Sequence, residues 1–254
     1  MTAALLETAG LTKRFGRVVA LSDVSLRIDA GGSVGVVGPN GAGKTTLFDC
    51  IIGVVEPDAG WIAFDGRRID RLPTFRRGLL GIGRTFQRLE LFGGMTPREH
   101  LLVTERVRGG GGRLWKDVVG LGRPAPRERR EADDLLELVG LGDVADVPVE
   151  ALNLGRCRLV ELVRALVGPP KLLMLDEPSS GLDDGERTIL VSVLGRVRRE
   201  RGVAVALVEH DLDLVTAVVD RLVVLDVGRV IADGPVDAVL ADGAVRRAYL
   251  GSGR

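Results

Sequence analysis

The chain of 254 residues contains only two cysteines, Cys50 and Cys157. Two thiols supply neither a disulfide framework nor a zinc cluster. They fit a reducing compartment in which both serve as small buried hydrophobes. Also missing is any uninterrupted apolar run of the ~18 residues that a membrane-spanning helix needs. Met1 to Gly10 has no basic start and no long apolar centre, and it carries Glu7, so it does not read as a secretory signal. The expectation is a chain made and kept in the cytoplasm, with any membrane connection supplied by another protein. An excess of one charge is absent too, because 35 Lys and Arg stand against 35 Asp and Glu. That balance gives no support for a broad nucleic-acid-binding surface.

What is present belongs to a folded protein. A hydrophobic share of 45% argues against disorder, and 35 glycines without a three-residue period exclude collagen. At this length a chain buries roughly three quarters of its unfolded surface, which suits one large domain or a domain with a subdomain. Strand-like and helix-like segments alternate, the pattern of an α/β fold with a largely parallel sheet. Val24, Leu26 and Ile28 alternate with Ser25, Arg27 and Asp29 as in a half-buried strand, and Val34 to Val37 is a short apolar strand. Thr45 to Ile52 reads as helix. Ile62 and Phe64 lead into the hairpin signal Asp65-Gly66, which predicts an antiparallel part. Leu159, Leu162, Val163 and Leu166, and again Leu190, Val193, Leu194 and Val197, follow the spacing of amphipathic helices. Leu172 to Leu175 and Val203 to Val208 are apolar strands. Between Leu91 and Leu152 the character changes: a glycine run at Gly109 to Gly112, then Pro124 and Pro126, then a charged helix from Arg127 to Val139. This predicts a helical subdomain inserted at 91–159 between core segments 1–90 and 160–254 of a single domain. The glycine run reads as a solvated loop.

One segment carries specific chemistry. Gly38-Pro39-Asn40-Gly41-Ala42-Gly43-Lys44-Thr45-Thr46 fits G-x-x-x-x-G-K-[ST] and lies between a buried strand and a helix. Glycines let the backbone curl so that successive N–H groups face phosphate oxygens, and the helix adds the positive end of its dipole. Lys44 is expected to reach the β- and γ-phosphates, and the Thr45 hydroxyl to ligate Mg²⁺. Asp176, at the end of Leu172-Leu173-Met174-Leu175, is expected to hold the metal, and Glu177 to polarise the attacking water.

Taken in order, these pieces resemble the nucleotide-binding subunits of ABC transporters over almost the whole chain. The resemblance implies a P-loop NTPase of ABC type, with a mostly parallel sheet core, an antiparallel β subdomain and an inserted helical subdomain. Phe15, in Leu11-Thr12-Lys13-Arg14-Phe15-Gly16, matches the aromatic that stacks on adenine, although alone it would read as a core residue. Gln87, in Arg84-Thr85-Phe86-Gln87, resembles the Q-loop glutamine that contacts Mg²⁺ and the attacking water. Ser179-Ser180-Gly181-Leu182-Asp183 is similar to the D-loop, with Asp183 as a nucleotide contact. Glu209-His210-Asp211 is similar to the switch loop, with His210 on the γ-phosphate. Within the family the likeness is to branched-chain amino-acid importers, through Gly81 to Gln87, Leu91 to Thr96, Val208 to Val215 and Ala248-Tyr249-Leu250-Gly251.

One departure stands out. Where the family signature reads Leu-Ser-Gly-Gly-Gln, this chain has Leu152-Asn153-Leu154-Gly155-Arg156. The resemblance assigns this segment to the γ-phosphate of ATP on an opposite subunit. Asn153 can donate as serine does, and Gly155 keeps the close approach. The implied machine binds ATP and Mg²⁺, closes as a head-to-tail dimer with a second ATPase subunit, identical or related, and reopens on hydrolysis. It serves membrane permease subunits at the cytoplasmic face and meets a solute-binding protein only indirectly. Leu89, Leu91, Phe92 and Met95, within Gln87 to His100, are candidates for docking the permease or, equally, for packing the subdomain. The alternatives are a non-transport ABC ATPase, and a nucleotide-gated regulatory module with weak hydrolysis. The residues themselves name no solute.

Overall fold

The computed structural model describes residues 4–85, 89–108, 125–243 and Val245. The chain divides into two compact units. One is drawn from the segments ending at Gly83, from Lys171–Glu177 and from Gly195 onward; the other from Arg84–Pro170 and Pro178–Leu194.

The first unit carries the sheets. Its early strands are β1 (Ala4–Phe15), β2 (Val18–Asp29), β3 (Ser33–Val37), β4 (Ala59–Phe64) and β5 (Arg67–Arg68), with β6 at Ile82–Arg84. Later come β7 (Leu172–Asp176), β8 (Ala204–Val208), β9 (Arg221–Asp226) and β10 (Arg229–Pro235). An antiparallel sheet has the order β2-β1-β4-β5, and a six-stranded sheet has the order β10-β9-β3-β8-β7-β6. In the larger sheet β9, β3, β8 and β7 are parallel neighbours, and β10 runs antiparallel to β9.

Sequence pattern and position agree strand by strand. β3, β7 and β8 are buried at every residue, as strands covered on both faces must be, and apart from Ser33 at the start of β3 and Asp176 at the end of β7 they are written as apolar runs. β2 alternates instead: Val24, Leu26 and Ile28 are buried while Ser25 and Arg27 face outward. The β4–β5 hairpin turns on Asp65 (φ 50°) and Gly66 (φ 73°), the positive angles that a type I′ turn requires. β1 lacks clean alternation because its register shifts around Thr8 to Leu11, where Gly10 takes φ 63°. One apolar cluster joins both sheets to the helix Lys44–Ile52 through Leu47, Phe48 and Ile51 packed with Leu11, Ile28, Ile62, Met174 and Val223.

Arg77 secures the far end of that helix. Its side chain is buried, and its guanidinium donates to the carbonyls of Cys50 and Ile51 (both 2.7 Å), Leu72 (2.8 Å) and Asp70 (2.9 Å). The first two are carbonyls of the helix's last turn, of which Cys50's also accepts from the Gly53 N–H at 3.3 Å, so a fixed cation there meets the negative end of the dipole. Cys50, beside it, is fully buried, and burial pushes its thiol up to about 11, which leaves it an inert hydrophobe.

The second unit is helical. It contains Pro97–Arg108, Pro126–Leu138, Leu154–Leu166 and the first part of Asp184–Arg201. Leu101, Leu135, Leu136, Leu159, Leu162, Val163, Leu190 and Val193 form its interior. Pro126 starts its helix rather than interrupting one, since at the first position proline removes no hydrogen bond. The subdomain expected at 91–159 is larger than the sequence suggested. A boundary after residue 159 would cut the continuous helix Leu154–Leu166, and the unit also takes in Pro178–Leu194. The glycine run at 109–112 and Pro124 lie outside the described residues. Among the described residues no helix is long and apolar enough to cross a membrane.

Replacing Arg77 with Met is expected to lower stability by about 3 kcal/mol, because four buried or part-buried carbonyls lose the guanidinium as a donor. Lysine should rescue little, since one ammonium cannot reach all four. Urea denaturation of the two variants checks this.

Candidate nucleotide site

The phosphate loop connects β3 to the helix Lys44–Ile52, and its shape is set by glycines under carbonyls. Gly38 has φ 151° and Gly43 φ 103°. A Cβ on Gly38 would overlap the Leu225 carbonyl of β9, and one on Gly43 the Ala20 carbonyl of β2. Gly41 (φ 78°) faces open space and is needed only for its backbone angle. The β9–β10 turn braces the loop, with the Gly228 N–H donating to the Ala42 carbonyl at 3.0 Å. The helix is capped by Gly43 with no side-chain cap and has no acidic residue in its first turn. Its N-terminal amides therefore keep their pull on an anion. Lys44 is 6% exposed, and its ammonium donates to the carbonyls of Gly38 (2.7 Å) and Pro39 (3.0 Å). Burial draws its pKa down while the carboxylates of Glu177 and Asp176 push it back up.

Parallel register brings the carboxylates to the same edge. β8 lies between β3 and β7, and Val208 stands opposite both Val36 and Asp176, so all three strands end together. Asp176 is buried; the Thr45 hydroxyl hydrogen-bonds its carboxylate, and its Oδ1 has no hydrogen-bond partner. Burial first, then Glu177 and Asp49, raise the Asp176 carboxyl to about 6. An orphaned buried carboxylate oxygen beside a hydroxyl is short of positive charge, and a divalent cation fits that need. No group of three His, Cys, Asp or Glu side chains that could hold a metal exists among the described residues. A metal here would complete its shell with phosphate oxygens and water, the preference of Mg²⁺.

Glu177 adopts φ 49° and donates its N–H to the Val208 carbonyl at 2.9 Å. A non-glycine residue in this region is strained by roughly 1–3 kcal/mol. The turn brings its carboxylate to His210, Oε1 to Nε2 2.8 Å, just beyond the end of β8. Phe15 ends β1 with 50% of its surface exposed, opposite Val18 and with the Lys13 ammonium 5.5 Å from its ring centroid. It is therefore no core residue: half of it is exposed, with the Lys13 ammonium over its ring.

In the second unit the structure gathers Asn153, Gly155 and Asp183. Asn153 is exposed and caps the helix Leu154–Leu166, accepting from the Arg156 N–H at 2.8 Å. Arg156 faces Asp143 at 3.8 Å. Asp183 is exposed and accepts from the Glu186 N–H at 2.8 Å. Glu186, buried between them, escapes a motif search although Asp-x-x-Glu before an apolar helix is a legible capping pattern. Gln87 lies outside the described residues, as does the segment 248–251.

The family described as ABC transporter matches residues 21–180, and the family described as branched-chain amino acid ATP-binding cassette transporter matches residues 229–254. The chain belongs to the ABC transporter family. Among its relatives, the high-affinity branched-chain amino acid transport ATP-binding protein BraF of Pseudomonas aeruginosa is 38% identical, with 99% of each chain covered. The lipopolysaccharide export system ATP-binding protein LptB of Haemophilus influenzae is 35% identical over 97% of each. The ADP conformation of MJ1267, an ATP-binding cassette of an ABC transporter, superposes with a TM-score of 0.85 at 31% identity, covering 99% of this chain and all of the other. The fold is thus the ABC cassette, α/β with a mostly parallel sheet, an antiparallel sheet and a helical part.

In this cassette the segment 89–100 keeps apolar surface outside. Phe92 is 63% exposed, and Leu89, Leu91 and Met95 are half-buried. Buried His100 organises it: Nδ1 donates to the Thr96 carbonyl (2.9 Å), and Nε2 accepts from the Phe92 N–H (2.8 Å). Only the neutral ring can do both.

Gly38→Ala is expected to cost at least about 2 kcal/mol and to abolish nucleotide binding, whereas Gly41→Ala costs about 1 kcal/mol; thermal unfolding with and without ADP separates them. Burial, outweighing the Thr96 carbonyl, holds the His100 pKa below its usual value. Its contribution is then present above about pH 6.5 and lost as pH falls through the folded pKa. Amide exchange at Phe92, corrected for intrinsic rate, should quicken on acidification and lose that dependence in His100→Leu.

Proposed function

We propose that this chain is the ATP-hydrolysing subunit of an importer for branched-chain amino acids or a similar small polar solute. The observation that carries the reading is the meeting of Lys44, Thr45, Asp176, Glu177 and His210 on one strand edge, beside a helix N-terminus left without a side-chain cap. The loop amides of residues 38–46 and Lys44 would bind the phosphate chain, and Phe15 would stack on the base. Asp176, Thr45 and, by family resemblance, Gln87 would hold Mg²⁺. When bound, that ion neutralises charge on the phosphates and so eases attack at phosphorus. Glu177 would take the proton of the attacking water, its carboxylate oriented by the His210 ring. His210 would in turn face the γ-phosphate.

Asn153, Gly155 and Asp183 would meet nucleotide held by a second ATPase subunit. ATP then favours the closed pair through contacts its γ-phosphate makes and ADP cannot make. The match of residues 229–254 to the branched-chain amino acid family, together with BraF, supports the amino-acid assignment. Overall identity to LptB is nearly as high, so the direction of transport rests on that C-terminal match. Membrane permease subunits would dock on the exposed apolar segment around Phe92, and the subunit would then work at the cytoplasmic face of the membrane. One observation favours the second reading, a nucleotide-gated module with weak hydrolysis: Asn153 already spends its oxygen and an amide hydrogen within its own chain.

Glu177→Gln is expected to retain ATP binding, to lose about 10²- to 10³-fold in turnover and to accumulate an ATP-dependent dimer on size-exclusion chromatography. Normal-rate hydrolysis by that variant contradicts the general-base role, and a parent protein that binds ATP without measurable turnover favours the second reading.

A further inference from the structure

The helices Leu154–Leu166 and Asp184–Arg201 begin beside a single shared carboxylate. Glu186 Oε2 accepts from the Asp183 N–H at 3.0 Å, and the Glu186 N–H returns a bond to Asp183 Oδ1 at 2.8 Å, a reciprocal capping pair. The other oxygen, Oε1, accepts from Asn153 Nδ2 at 3.2 Å. Asn153 meanwhile caps the neighbouring helix with its own oxygen. The carboxylate lies directly over Gly155, where a Cβ would overlap it. Next to this, the Leu154 side chain occupies the space that a Cβ on Gly181 (φ 83°) would need.

Of the three signature positions that depart from the family pattern, Asn153, Leu154 and Arg156, the first reaches Glu186 just past the D-loop and the second packs on Gly181 within it. Asparagine carries its acceptor and donor on separate atoms, and both are used here; a serine hydroxyl combines the two on one oxygen. Two helix N-termini also converge on the same anion, which both dipoles favour.

We infer that Glu186 is a positioning residue, setting the spacing between the signature residues Asn153 and Gly155 and the D-loop residue Asp183, and that Asn153 is matched to it. Glu186 touches no nucleotide in this account. It fixes the groups that do, and it rests on the reading of Asn153, Gly155 and Asp183 as contacts to an opposing ATP. Asn153→Ser keeps a capping oxygen and severs only the bridge.

The test compares the full-length parent with Glu186→Gln, Asn153→Ser and the double variant. For each, turnover against ATP concentration, ADP affinity by calorimetry, and the thermal midpoint are measured. Each single substitution is expected to lower kcat about tenfold with ADP affinity within about twofold of the parent, because the phosphate loop is untouched. The double variant should be no more than about twofold worse than either single one. Parent-like kcat in Glu186→Gln, or effects that multiply in the double variant, overturns the inference while leaving the ATPase reading intact. A fall in ADP affinity parallel to kcat assigns Glu186 a general structural role and likewise overturns it. A parent that neither binds nor turns over ATP removes the underlying reading and the inference together.

Discussion

Everything in the first unit turns on a helix whose positive end is left unneutralised. The helix Lys44–Ile52 starts at a glycine, carries no acid in its first turn and receives no side-chain cap. For most helices this is a defect. Here backbone carbonyls of two other strands, Leu225 and Ala20, forbid any side chain at Gly38 and Gly43, so the loop holds its curl by steric exclusion. Arg77 secures the opposite end of the same helix. The site then has a local charge problem that only a ligand resolves. Lys44 is buried against its own loop, while Asp176 is buried with one oxygen unsatisfied and held near half protonation at mildly acid pH. A phosphate chain would supply the anion that the amides lack, and a divalent cation the charge that Asp176 lacks.

The second unit uses the same physics with the sign reversed. Two of its helix N-termini, at Leu154 and Asp184, are neutralised from within, through Asn153, Asp183 and the carboxylate of Glu186. These caps stabilise the unit without a ligand and leave Asn153 and Asp183 on the surface. A face already satisfied internally can be recruited by a second subunit only in competition with its own hydrogen bonds. That requirement suits a reversible contact. The buried His100 does a comparable service for the segment ending at Thr96, holding its backbone while Phe92 remains outside.

Much of this was legible in the residues, for identifiable reasons. Phosphate binding demands glycine, lysine and hydroxyl at fixed spacing, so 38–46 declares itself, and strands covered on both faces are written as the apolar runs at β3, β7 and β8. β1 was hidden because a bulge around Gly10 breaks its period. The extent of the helical unit was underestimated because the amphipathic stripe from Leu159 to Leu166 says that a helix is buried, not against which neighbour. Phe15 needed the structure to show that its ring is exposed. Arg77 and Glu186 look like surface charges in helical text. What makes each important is a set of partners distant in sequence, as with Glu186 and Asn153, and no local pattern records those.

The central claim is that the amides around residues 38–46, with Lys44 and the Asp176–Thr45 pair, grip a nucleoside triphosphate together with a divalent cation. Isothermal calorimetry of ATP into the folded protein, with and without Mg²⁺ and alongside Lys44→Ala, tests it most directly. Saturable binding that tightens with Mg²⁺ and disappears in the lysine variant is the expected result. Absence of binding by the well-folded parent, or binding indifferent to Lys44, would contradict the account.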